Sequence, residues 1–151
     1  MLAEYRKIVH ELNDAFYEYY MYYNKVAKKL DEFQLTLQQE NLLQYIIRNE
    51  RVTVNEIAAF FSITKSAVSQ VLSHLESRTF IRRESNPEDR RESFILLGEA
   101  GQTYAELMDE ADEAFVKQYF SQIDMSVLEQ MLETIKKVNR AIKESADTES
   151  R

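Results

Sequence analysis

Ile63-Thr64-Lys65-Ser66-Ala67-Val68-Ser69-Gln70-Val71-Leu72-Ser73-His74-Leu75 is the stretch on which the fold turns. Thr64 is a good N-cap residue. Val68, Val71, Leu72 and Leu75 then recur at i, i+3, i+4 and i+7, which predicts a helix to about Arg78 with one narrow stripe inward. The opposite face holds Ser66, Gln70, Ser73 and Ser77, flanked by Ser69 and His74, with Lys65 at the helix start. In a chain that is 30% charged, a merely solvated face would more often carry Glu and Lys pairs. Small hydroxyls and one glutamine instead let a backbone enter a groove. Gln can bond adenine through two contacts, and Ser can pair with several bases or with phosphate.

The flanks supply the context. Thr53-Val54-Asn55-Glu56 reads as a capping box that opens a short helix with Ile57, Ala58 and Phe61 inward, and Ser62-Ile63 is a break one turn long. A similar box, Thr36 to Gln39, opens a helix to about Arg48 with Leu37, Leu43, Ile46 and Ile47 inward. Beyond Arg78 the apolar period falls from 3.6 to about 2. Phe80–Glu84 and Arg91–Leu96 are strand candidates around the polar turn Ser85-Asn86-Pro87-Glu88-Asp89. Helix, short turn, helix and hairpin is the order of a winged helix-turn-helix. The hairpin carries Arg82 and Arg83 on one arm and Asp89-Arg90-Arg91 at its end. Two readings stand here. These arginines pair with Glu84, Glu88 and Asp89, or Arg91 reaches the minor groove while Arg90 and Arg83 meet phosphates and Asp89 orients an arginine.

Composition agrees with a small helical binding protein. The chain has 151 residues, 44% hydrophobic, with two Gly and one Pro, so few breakers interrupt it. A TIM barrel is excluded by length and a Gly-rich phosphate loop by the glycine count. With no Cys there is no disulfide, thiol nucleophile or cysteine redox switch. His10 and His74 are the only histidines, so no metal site and no cofactor are expected. There is no Ser-His-Asp set, and an enzyme is not expected. No apolar run approaches a membrane span and the N-terminus lacks a signal pattern, which predicts a cytoplasmic protein with no membrane partner. The net charge of −7 is uneven: residues 64–91 hold six Lys or Arg against four acids, whereas 92–151 hold six against thirteen. A phosphate backbone responds to the local field, so the overall sign does not forbid DNA binding.

Long helices flank this centre. Tyr5, Val9, Leu12, Phe16, Tyr19, Tyr23, Val26 and Leu30 alternate four and three apart, a heptad seam on a helix about 40 Å long that wants a partner along its length. Two more helices are predicted over roughly 99–121 and from Asp124 or Ser126 to about Lys143, with a frayed tail over 145–151. Their apolar positions, among them Tyr104, Met108, Phe115, Met131, Ile135 and Val138, exceed what one wing domain needs, and a symmetric partner would bury them. The acidic run Glu106, Asp109, Glu110, Asp112, Glu113 reads as a solvated face. Phe16–Tyr23 is unusually aromatic: the stripe is packing, or Tyr17, Tyr20 and Met21 line a pocket for a small aromatic effector.

Residues 35–101 resemble the MarR family of transcriptional regulators. The resemblance rests on Leu35-Thr36 with Gln39, on Thr53-Val54-Asn55-Glu56-Ile57-Ala58, and on Ile63-Thr64-Lys65-Ser66-Ala67-Val68-Ser69-Gln70. It extends through Leu75-Glu76 and Asn86-Pro87-Glu88-Asp89-Arg90-Arg91. Asp89, Arg91 and Leu97 match the family's wing signature, while Gly98 stands where the family has Thr, a tolerable helix cap. The resemblance implies a mainly α fold with a small β-hairpin wing and a single MarR-like domain over 1–151. Residues 1–34 and 99–145 would be dimerisation helices and 35–98 the winged helix-turn-helix. It implies a homodimer that binds double-stranded DNA at a pseudo-palindromic operator and represses, with Thr64, Lys65, Ser66, Ser69, Gln70, Ser73, His74, Arg83, Arg90 and Arg91 at the DNA. The competing reading is a winged-helix protein-interaction module that modulates another regulator without touching DNA.

Overall fold

The computed structural model describes residues 1–26 and 28–149. The chain divides into two units, Met1–Asp112 and Glu113–Arg151. In the first, α1 is Leu2–Val26, followed by a tight 3-10 turn, Lys28–Phe33. Then come α2 (Leu37–Arg48), β1 (Val52–Thr53), α3 (Val54–Phe61), α4 (Lys65–Ser77), β2 (Ile81–Ser85) and β3 (Ser93–Leu97). Helix α5, Glu99–Phe115, follows, and then a π turn, Val116–Phe120, and α6, Met125–Glu149.

Both capping boxes form as the spacing predicts. Gln39 donates to Thr36 Oγ1 from its backbone at 3.3 Å and returns its side-chain oxygen to the Thr36 N–H at 3.0 Å. Glu56 does the same for Thr53, at 3.2 and 2.7 Å. Thr64 caps α4 by accepting from Ala67 N–H at 3.1 Å. The break before α4 is made by Ser62 in the left-handed region, φ 53°.

The core of the first unit gathers where the capped helices meet the sheet. Leu42, Leu43 and Ile46 of α2, Ile57 of α3 and Val68, Leu72 and Leu75 of α4 are buried against Phe80, Ile81 and Ile95. Tyr104 of α5 closes this core with its ring edge-on to Phe33, centroids 5.3 Å apart. Burial, reinforced by the nearby Glu40 charge, pushes its phenol up to about 12.

Several expectations are corrected. Leu37 is 63% exposed, and Leu42 takes the inward place. The wing is a three-stranded antiparallel sheet in the order β1-β3-β2, because Val52 and Thr53 pair with Ile95 and Phe94. In the hairpin, Arg83 lies opposite Ile95. The α1 seam does not run to Leu30: the helix gives way to the 3-10 turn, which sends Leu30 into the core, 7% exposed. The side chain of Val26 lies outside the described residues. Up the rest of α1, Tyr5, Val9, Leu12, Phe16 and Tyr19 are 44–67% exposed. In the second unit, α6 continues helical to Glu149 where a frayed tail was expected; Ser150 and Arg151 lie outside the described residues. Its Val127, Met131, Ile135, Val138 and Ile142 form another exposed apolar row. Phe115, just after the unit boundary, is buried with its ring 4.8 Å from Tyr119.

Candidate nucleic-acid interface

Helix α4 presents the polar face read from its sequence. Ser66, Gln70, Ser73 and His74 are exposed, and Ser69 is half-buried. The hydroxyls are not all equivalent. Ser73 Oγ donates to the Ser69 carbonyl at 2.8 Å and Ser77 Oγ to the His74 carbonyl at 2.8 Å. Each thus spends its proton on its own helix and keeps its oxygen lone pairs as acceptors.

Between α4 and the wing lies a cleft of about 570 Å³. It brings together Lys65, Ser69, Arg83, Asp89 and Arg91, five of the residues singled out from sequence. Thr64, Ser66, Gln70, Ser73, His74 and Arg90 do not line it, and Tyr17, Tyr20 and Met21 lie on α1, at 68%, 49% and 43% exposure. The cleft also takes in Asn55 from the first turn of α3 and Glu92 from the root of β3. The sequence reading passed over both, because nothing local ties two residues 37 positions apart.

At the wing tip Asp89 grips Arg91 with both carboxylate oxygens, Nε to Oδ1 at 3.1 Å and Nη2 to Oδ2 at 3.2 Å. Asp89 Oδ1 also accepts the Arg91 backbone N–H at 3.0 Å. These bonds hold the Asp89 carboxyl below its usual value and raise the guanidinium. The Arg91 side chain is nonetheless 90% exposed, so the carboxylate fixes its base while its outer face stays open.

The other cations are engaged in different ways. Arg83 Nε donates to Glu76 Oε2 at 3.0 Å, a bond from the wing to the last turn of α4 that the sequence did not disclose. Arg82 and Arg51 share Glu84, at 3.3 and 2.6 Å, and Arg51 lies over the Phe94 ring. Arg78 donates to the carbonyls of Phe33 and Gln34 and covers Phe80. Of the six Lys and Arg between residues 64 and 91, Lys65, Arg78 and Arg90 make no ion pair among the described residues, and of these three Arg78 is held by carbonyls. The pairing reading of the hairpin holds for Arg82, Arg83 and Arg91, with Glu76 in the place expected of Glu88, and Arg83 and Arg91 line one cleft with Lys65.

One further polar contact joins α1 to α5. The Tyr23 hydroxyl donates to Asp112 Oδ1, which removes Asp112 from the solvated acidic face expected of it. Burial and this carboxylate raise the Tyr23 phenol, and burial likewise raises Tyr19, stacked on it at 6.3 Å. Among the described residues no three His, Asp or Glu converge as metal ligation would need, and no helix is long and apolar enough to cross a membrane.

Known proteins place this arrangement. The family model described as MarR family matches residues 33–92. The HTH-type transcriptional regulator YwhA of Bacillus subtilis is 32% identical over 105 residues, 67% of this chain and 76% of that protein. The Staphylococcus aureus MepR–DNA complex is 25% identical with a TM-score of 0.63, over 85% of this chain and 96% of that one. The S. aureus MarR structure in complex with salicylate and kanamycin shares the fold at a TM-score of 0.71 and 18% identity, over 94% and 97%. With the capped helix-turn-helix, the Asp89–Arg91 wing tip and a relative matched along three quarters of its length, this chain belongs to the MarR family of HTH-type transcriptional regulators.

Proposed function

We propose that the chain is a sequence-specific repressor that binds a pseudo-palindromic operator as a homodimer. The observation that carries this reading is the cleft in which Lys65, Ser69, Arg83 and the Asp89-held Arg91 converge beside the polar face of α4. An α-helix of this width enters a major groove, where Ser66, Gln70 and Ser73 would meet base edges and Thr64, Lys65 and His74 the backbone. Arg91 extends to the adjoining minor groove, and Arg90 and Arg83 to phosphates. Residues 35–98 form the reading head. The exposed apolar rows within 1–34 and 99–145 supply the dimer contact, since rows of that length are seldom left in water. Two such heads would sit about 34 Å apart, one turn of duplex.

Selection of bound duplexes from a random pool tests the reading. The expected product is a pseudo-palindrome with half-sites about one helical turn apart, bound in the nanomolar range and weakened steeply by salt. A protein that shifts no duplex at low salt would instead be an interaction module, a reading favoured by the acids already seated on Arg82 and Arg83. Release by a small aromatic acid, seated against Tyr17, Tyr20 and Met21, would follow if that ligand bound preferentially a dimer whose helix spacing misfits the groove. Titrating salicylate into the operator complex should then lower affinity, and Tyr20→Ala should blunt the effect.

A further inference from the structure

The segment 86–92 at the wing tip is closed on itself. Asn86 N–H donates to the Glu92 carbonyl at 3.3 Å, Glu92 N–H to the Asp89 carbonyl at 3.0 Å, and Asp89 holds Arg91. Among the described residues one polar contact ties this segment to the helical body: Asn55 Nδ2, in the first turn of α3, donates to Glu92 Oε1. Its partners line the same cleft as Lys65, Ser69 and Arg91. A β-hairpin held at its strands alone can still swing at its tip, and a loop already fixed in its working position loses less freedom on binding.

We propose that Asn55 and Glu92 are positioning residues: the hydrogen bond between them fixes the stance of the wing tip over the recognition helix and, through Asp89, sets where Arg91 meets DNA. The inference rests on the DNA-binding reading given above. The geometry favours a latch over a direct contact. The Glu92 carboxylate would repel a phosphate, yet it is an acceptor for the Asn55 amide, and its own backbone closes the loop that carries Arg91.

Exchanging donor and acceptor provides the test. Asn55→Asp sets two carboxylates against each other and should release the tip. An acid in the first turn of α3 suits the helix dipole, so the fold should survive, which a thermal melt checks. The double variant Asn55→Asp/Glu92→Gln restores the bond in the opposite direction at unchanged net charge. Two readouts are needed: amide hydrogen exchange over 86–92 without DNA, and affinity for the selected operator. Asn55→Asp should speed exchange and weaken operator binding, each by roughly tenfold, and the double variant should recover both to within about threefold. Wild-type exchange rates in Asn55→Asp, or a double variant no better than the single one, would overturn the latch. Faster exchange with unchanged operator affinity would overturn its role in placing Arg91. If the wild-type chain bound no duplex, the DNA reading would fail while the exchange data still decided whether the latch exists.

Discussion

Thr79 carries a β-branched side chain at φ 59°, in the left-handed region where its Cβ crowds the backbone. Its surroundings hold it there: the Thr79 carbonyl accepts from Ala100 N–H at 3.1 Å, at the join between α4 and the wing, and the side chain itself is exposed. Thr79→Gly should therefore stabilise the protein, by roughly 0.5–1 kcal/mol after the extra freedom of glycine in the unfolded chain is discounted. The urea midpoint should rise with unchanged slope. Asp89 offers a second prediction at this scale. Hydrogen bonds from Arg91 lower its carboxyl pKa below the ordinary 3.8, so the pair is intact above that value and is lost as pH falls through the depressed one. A carboxyl-carbon NMR titration should show Asp89 still ionised where free aspartate is half-protonated. The wing tip should consequently keep its form throughout the neutral range.

Between elements, the closest approaches are made by backbone. A Cβ on Gly98 would run into the Thr79 carbonyl, and one on Gly101 into the carbonyl of Phe80. Gly98 is thus more than a tolerable cap in the place of threonine: the start of α5 is pressed onto the turn that ends α4, with Gly98 N–H donating to the Phe80 carbonyl at 2.9 Å. Since a carbonyl cannot rotate aside as a side chain can, Gly98→Ala should cost about 1–3 kcal/mol. The melting temperature should fall by about 2–4 °C for each kcal/mol. Because α5 also delivers Tyr104 to the core, the loss should appear as global unfolding with no separate early transition for the helix.

For the molecule as a whole, the prediction concerns assembly. Leu12 and Phe16 on α1 and Ile135 and Val138 on α6 are 39–51% exposed in the single chain. Full burial of one such side chain stabilises by about 1.5–3 kcal/mol, and seams of this length bury many at once. Val138→Asp, which places a charge in the exposed α6 row and alters no buried residue, should convert a dimer to a monomer in sedimentation at micromolar concentration. The circular dichroism melt of the winged unit should survive. Operator binding should fall by far more than phosphate contacts alone would lose, because one reading head holds only one half-site. A wild-type chain sedimenting as a single subunit would contradict the homodimer.

What the sequence by itself determined is what lies within one turn of the residue concerned. The three N-caps at Thr36, Thr53 and Thr64 and the stripe Val68–Leu75 were legible because a helix is encoded at spacings of three and four. The Asp89–Arg91 grip was legible for the same reason, being two residues apart. Tertiary structure decided the rest. Val52 and Thr53 are too short a run to declare a strand, and they become one only because β3 offers an edge more than 40 residues later. Leu30 fits the heptad by spacing, yet the chain turns before reaching it and the core takes it instead. Glu76 for Arg83, Glu84 for Arg51 and Glu92 for Asn55 were each one acid among several. An ion pair or a lone hydrogen bond is chosen by what the folded backbone brings within 3–4 Å, and no spacing along the chain contains that distance.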